Sequence, residues 1–177
     1  MIPTIETERL RLRGWSERDF EPFAAIYADD AQARYIGGAC DGEAAWIRLA
    51  ATIGQWTLRG YGLWALEIKE DPGFIGWAGL WHPQGWPERE IGWTLIPAAR
   101  GKGFATEAAL CVRTYAYETL GWTTAISLIA MPNQASIAVA ERLGARLERT
   151  IMFRDVETGI FRHPDKNGNL VFKRQFH

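Results

Sequence analysis

Apolar and polar residues alternate strictly over Arg9-Leu10-Arg11-Leu12-Arg13, the period of a strand with one buried face. Helical spacing takes over next. Phe20, Phe23, Ala24 and Tyr27 follow a cap at Ser16 and run to an acidic stop at Asp29-Asp30. Trp46, Leu49, Ile53 and Trp56 then recur at helical intervals between Asp41 and Gly60. Residues 61–68 and 74–81 are apolar strands joined by Lys69-Glu70-Asp71-Pro72-Gly73, a strong turn signal, and so predict an antiparallel hairpin. A looser turn, His82-Pro83-Gln84-Gly85-Trp86-Pro87, delivers the chain to a strand at residues 90–96. Pro97 breaks that strand, and a helix opening around residues 101–103 puts Phe104, Ala108, Cys111, Val112 and Tyr115 on one stripe before stopping near Gly121. A strand at 124–129 precedes a helix that begins at Pro132-Asn133 and ends at Gly144 as a C-cap. Beyond Arg146 the pattern gives two or three further strands. The order predicts an α+β fold, a mixed, mostly antiparallel central sheet of about six to seven strands flanked by about four helices. Residues 1–177 are expected to form one domain.

Composition narrows the function. At 47% hydrophobic and 12% aromatic, the 177 residues can bury a sizeable core, which excludes intrinsic disorder. Lys and Arg number 20 against 21 Asp and Glu, a balance that argues against a nucleic-acid partner. There is no apolar run of about 18 residues and no signal-like start, so the expectation is a cytoplasmic protein without a membrane partner. Cys40 and Cys111 are too few for a disulfide framework and look like packing residues. With three histidines and two distant cysteines no metal cluster is expected, and no Ser/His/Asp set is apparent.

Residues 90–108 carry the chemistry. A strand runs into the basic, glycine-bearing turn Arg100-Gly101-Lys102-Gly103 and then directly into an amphipathic helix. The first amides of a helix lack internal partners and its dipole adds partial positive charge there, so this segment is an anion cradle. It is not a Walker loop, because G-x-x-x-x-G-K-[ST] is absent. Nor is it a dinucleotide fingerprint, because Thr106 stands where G-x-G-x-x-[GA] requires a small residue.

Arg100-x-x-Gly103-x-Ala105 resembles the R/Q-x-x-G-x-G/A signature of the GNAT superfamily of N-acetyltransferases. The similarity extends to the branch that includes ribosomal-protein N-terminal acetyltransferases. Thr7-Glu8-Arg9-Leu10-Arg11-Leu12-Arg13 resembles that branch's opening, and Glu90-Ile91-Gly92-Trp93 is similar to its E-I-G-Y strand. Asn133-Gln134-Ala135-Ser136, followed by Ala140-Glu141-Arg142-Leu143-Gly144-Ala145, resembles its N-x-x-S…E-K-L-G-F helix, with Ala145-Arg146 as a departure from Gly-Phe.

The resemblance implies a cofactor, a fold detail and a set of roles. Acetyl-CoA would be the co-substrate, entering where the strands at 90–96 and 124–129, the fourth and fifth of the reading, splay apart. Trp93, Thr94 and Leu95 would offer backbone groups to the pantetheine arm, with a bulge near Thr94, and one N–H would polarise the thioester carbonyl. Arg100, Gly101, Lys102, Gly103, Phe104, Ala105 and Thr106 would surround the pyrophosphate, with Asn133 against the cofactor arm. Glu90 is the candidate base for the incoming ammonium, through water, with Glu67 and His82 as competitors. Ser136 would hydrogen-bond the thioester sulfur or relay a proton to it. Trp77, Trp81, Trp86 and Trp93 are candidates for an aromatic wall on the acceptor side, against the alternative that they are core. The acceptor is an amine, either a protein N-terminus or a small molecule. A module that binds acyl-CoA without turnover, and a transferase for another acyl group such as succinyl, stay open. A homodimer is possible for this family, and residues 169–172 could lie at an edge.

Overall fold

The alternation at the N-terminus becomes a strand whose leucines are fully buried, Leu10 and Leu12 each at 0% exposure, while its arginines take the other face. The computed structural model describes residues 1–172. Its elements are β1 (Ile5–Glu6), β2 (Leu10–Arg13), α1 (Phe20–Ala28), α2 (Asp30–Ala33), α3 (Gly42–Arg59), β3 (Leu63–Ile68), β4 (Phe74–Trp81), β5 (Glu90–Leu95), α4 (Phe104–Glu118), β6 (Ile126–Ala130), α5 (Gln134–Arg142), β7 (Arg146–Phe153) and β8 (Val156–Arg162). The strands form one sheet in the order β1-β2-β3-β4-β5-β6-β8-β7, antiparallel throughout except for β5 beside β6.

Alternation along the strands feeds two cores. On one face Leu10, Leu12, Trp64, Leu66, Ala78, Leu80, Ile91 and Leu95 pack against Phe104, Ala108, Val112 and Ala116 of α4. On the other, Leu63 and Trp77 pack against Phe23, Ile26 and Tyr27 of α1 and Ala45 and Leu49 of α3. Each fully buried Leu or Ile contributes roughly 1.5–3 kcal/mol. The helix ends are set by local side chains. Ser16 and Asp19 form a reciprocal capping box, and the Asp41 carboxylate accepts from the Ala44 amide. At Gly144 (φ 79) the chain closes a double hydrogen bond, Ala145 N–H to Ala140 O and Gly144 N–H to Glu141 O, both at 2.9 Å.

Four details differ from the sequence reading. Asp29 does not stop a helix but caps the next one, accepting from the Ala31 and Gln32 amides, so α2 is a separate four-residue helix. With the two-residue β1, this brings the described residues to eight strands and five α-helices. The buried stripe of α3 is Ala45, Leu49, Thr52 and Trp56, which leaves Trp46 and Ile53 exposed, Trp46 edge-on to Phe20. No bulge interrupts the β4–β5 ladder at Thr94: one register runs from Gly76↔Leu95 to Trp81↔Glu90. The extra residue is Ile75 of β4, between the pairs Leu66↔Gly76 and Glu67↔Phe74. Residues 169–172 are exposed and outside any strand.

Candidate active site

β5 and β6 pair once, at Glu90↔Ile126, and then separate. The Ile96 N–H donates to Ile75 O at 2.9 Å, which fixes the antiparallel alternation along β5. Thr94 and Gly92 therefore turn their backbone groups to β4, and Trp93 and Leu95 turn theirs into the opening. On that open edge the Trp93 carbonyl accepts from Thr94 Oγ1 at 2.9 Å and the Leu95 carbonyl from Arg100 Nε at 3.0 Å. The two amides are the donors this edge presents. The free edge thus arises from the departure of β6 rather than from a bulge.

At the apex, side chains replace the missing ladder. Ser127 Oγ donates to Ile91 O at 2.6 Å, and the Leu128 N–H donates to Glu90 Oε1 at 3.1 Å. Behind them His163 Nε2 lies 2.9 Å from Ser127 Oγ. The single serine proton is committed to Ile91 O, so His163 donates through Nε2, leaving buried Nδ1 as an acceptor with no partner among the described residues. Burial first, then the charges of Arg113 and Arg162, push the His163 pKa down to about 3. Because its ordinary value is 6.5, the unfolded chain takes up this proton first as pH falls, so stability rises with pH between about 3 and 6.5. His163→Gln is expected to flatten that limb of an acid-unfolding curve, followed by circular dichroism.

The anion cradle follows β5 directly. After a 3-10 turn at Pro97–Ala99 come Arg100 and Lys102, both exposed, separated by Gly101 (φ 74), with Gly103 (φ 82) as the N-cap of α4. Left-handed backbone at both positions costs a non-glycine residue about 1 kcal/mol or more. No side chain caps α4, and the first helical bond runs from Glu107 N–H to Gly103 O. The amides of Phe104, Ala105 and Thr106 therefore remain available to a ligand. The N-terminal segment clasps this turn: Arg9 Nη1 donates to Lys102 O at 3.0 Å, Arg9 Nη2 lies 2.6 Å from Glu107 Oε2, and Thr7 Oγ1 donates to Glu107 Oε1 at 2.5 Å.

Of the three candidate bases, only Glu90 lies at the opening. It is 8% exposed, and burial raises its pKa to about 7 against the opposing hydrogen bonds from Leu128 N–H and Trp86 Nε1, the latter 2.5 Å from Oε2. Such a carboxyl is close to half-ionised at neutral pH. Glu67 is two strands away from β5. Burial works to raise its pKa too, but hydrogen bonds from Arg13 and Arg11, at 2.7 and 2.9 Å, outweigh it and hold the carboxylate ionised. His82 is shifted down by burial and by the charges of Arg59 and Arg89.

Asn133 is the N-cap of α5, its Oδ1 accepting from Ser136 N at 3.3 Å. Since α5 follows β6, both residues belong to the lip opposite β5. The four tryptophans divide. Trp77 is core, against Phe23 and Tyr27, and Trp93 alternates to the α4–α5 face. Trp81 pairs with Glu90 across the ladder, and Trp86 stands between Trp81 and Phe153, with ring centroids 6.5 and 4.9 Å away. Sequence reasoning missed Ser127, His163 and Arg162. Their one signal was a polar residue inside an apolar strand, Ile126-Ser127-Leu128 and Ile160-Phe161-Arg162.

A cleft between two diverging parallel strands, an uncapped glycine turn at its mouth and a buried carboxyl at its apex describe an acyl-transfer site, and the family comparison agrees. Residues 9–146 match the acetyltransferase (GNAT) domain, and the chain belongs to that family. It is 29% identical over 154 residues to YoaA of Bacillus subtilis, an uncharacterized N-acetyltransferase, covering 84% of this chain and 85% of that one. An acetyltransferase from Agrobacterium tumefaciens superposes with a TM-score of 0.85 at 34% identity, over 92% of this chain and 95% of the other. RimL, a ribosomal L7/L12 alpha-N-protein acetyltransferase solved with coenzyme A, shares the fold at a TM-score of 0.75 and 16% identity, over 91% and 97%. Among the described residues no helix is long and apolar enough to cross a membrane.

Proposed function

We propose that this acetyltransferase moves the acetyl group of acetyl-CoA directly to a primary amine, on a protein N-terminus or a small molecule. The observation that carries the reading is the half-ionised Glu90 at the apex of the β5–β6 opening, on the same edge that ends in the glycine turn. The donors suit the ligand. Free amides at 104–106, with Arg100 and Lys102, match a pyrophosphate, and the amides of Trp93 and Leu95 match an extended pantetheine arm. Coenzyme A bound to RimL, which has the same fold, supports this assignment.

The residues then divide the work. Glu90, through a water, takes the proton that an ammonium must lose before its nitrogen attacks. An N–H from Trp93 or Leu95 meets the oxyanion that forms as the C–N bond is made. Ser136 hydrogen-bonds the sulfur as the C–S bond breaks, and the thiolate leaves with a proton from solvent or from this hydroxyl. No acyl-enzyme is needed. Thiol release from acetyl-CoA, screened against peptides with free N-termini, polyamines and amino acids, tests the reading. A product 42 Da heavier by mass spectrometry, about the mass of one acetyl group replacing hydrogen, is the expected result. Tight acetyl-CoA binding without turnover on any amine would favour the binding-module alternative.

A further inference from the structure

The segment joining β4 to β5 places Trp86 on Glu90, yet it has little structure of its own. Gly85 is left-handed (φ 83), and one turn closes through Trp86 N–H to Pro83 O at 3.1 Å. Side chains must therefore decide where Trp86 sits. One anchor is aromatic: Phe153 lies edge-on to Trp86, and the Arg154 guanidinium is 5.0 Å from its ring. The second anchor is ionic and lies two residues from both Trp86 and Glu90. Glu88 receives a two-pronged grip from Arg162, Nη1 to Oε2 at 2.8 Å and Nη2 to Oε1 at 3.0 Å. Arg162 is 0% exposed. Its remaining bonds go to Glu148 Oε2 on β7 at 2.6 Å and Thr124 Oγ1 ahead of β6 at 3.0 Å.

A buried guanidinium with two carboxylates is poor evidence of a stabilising device, since apolar residues of similar volume often serve stability as well. Its geometry offers a better reason. It ties β7, β8 and the start of β6 to the segment that carries Trp86. We propose that Arg162 is a positioning residue for Glu90: through Glu88 it fixes the 82–89 segment so that Trp86 covers the carboxyl and donates to it. The catalytic meaning of this anchor rests on the reading of Glu90 as the base. Charged groups on the surrounding elements are His82, Glu88 and Arg89 in the segment itself, Arg162 and Glu157 on β8, and Arg146, Glu148 and Arg149 on β7. β4 and β6 carry none. Burial is the largest influence on Glu90, so loosening the cover acts mainly by admitting water.

The test is a carbon-13 NMR titration of the Glu90 carboxyl, assigned by its loss in Glu90→Gln. Arg162→Lys keeps the charge but loses the fork, and Glu88→Gln is the milder variant if the first folds poorly. Both are expected to lower the Glu90 midpoint by about one pH unit or more, toward the ordinary carboxyl range. Arg13→Lys, which disturbs the separate Asp19 and Glu67 pairs, should lower thermal stability and leave the midpoint in place. An unmoved midpoint in folded Arg162→Lys and Glu88→Gln overturns the role of Arg162. The titration reads the carboxyl directly, so this outcome differs from failure of the base assignment, which would show as an acid limb of turnover that survives Glu90→Gln and would remove the catalytic meaning of the anchor.

Discussion

Glu90→Gln is expected to lower kcat/KM for the amine by about 10²–10⁴-fold at pH 7.5, with acetyl-CoA affinity unchanged. The side chain lies at the strand apex and away from the glycine turn, so the loss belongs to proton removal and not to cofactor binding. The same substitution should make the protein more stable at alkaline pH. The folded pKa of Glu90 is raised from 4.5 to about 7, so the fold favours the protonated form. Its ionisation cost is absent below pH 4.5, accumulates as pH rises, and reaches about 3 kcal/mol above pH 7. A neutral amide escapes that cost but forfeits one of two accepted hydrogen bonds, about 1 kcal/mol. The balance is a gain of about 2 kcal/mol at pH 8, or about 4–8 °C in Tm for a domain of this size. At pH 5 the gain should vanish. Thermal melts of both proteins at the two pH values check this, and equal Tm differences at pH 5 and 8 would contradict the burial account.

Gly76→Ala is expected to cost about 2–4 kcal/mol, a fall of roughly 5–15 °C in Tm. Gly76 has φ 141, and a Cβ there would lie 2.1 Å from Thr94 O and 2.8 Å from Leu95 Cα. Backbone cannot move aside as the end of a flexible side chain would. The displaced atoms belong to the stretch of β5 that bounds the opening, so acetyl-CoA binding should weaken beyond what partial unfolding explains. Gly73→Ala, in a turn where a Cβ meets nothing within 4 Å, is the control and should stay within about 0.5 kcal/mol. Chemical denaturation and calorimetric titration on all three proteins read both effects.

What was legible in the sequence was local. Ser16, Asp41, Asn133 and Gly144 mark helix ends because each satisfies backbone groups a few residues away. Residues 100–106 were legible because strand, glycine turn and helix are consecutive. Asp29 misled because a carboxylate near a helix end can equally be the cap of the next helix, and here it accepts from amides ahead of it. The tryptophans could not be sorted by strand membership alone: Trp77 and Trp81 share a face, but α1 and α3 bury one while the other adjoins Glu90. Ser127, Arg162 and His163 act on groups 36 and 74 residues away, and no local period records such pairings. The bulge expected at Thr94 failed for a related reason. A free strand edge has two possible causes, and which one operates depends on where β6 goes after Ile126.

Calorimetric titration of acetyl-CoA into the wild type and an Arg100→Glu/Gly103→Glu double variant tests the central claim most directly. The wild type should bind with a micromolar or tighter Kd. The double variant places carboxylates at the glycine turn and disturbs Gly103 (φ 82), and it should stay folded by circular dichroism and show no binding. A folded wild type that fails to bind acetyl-CoA, or a double variant that binds it as well as the wild type, would contradict the assignment of this turn as the pyrophosphate cradle.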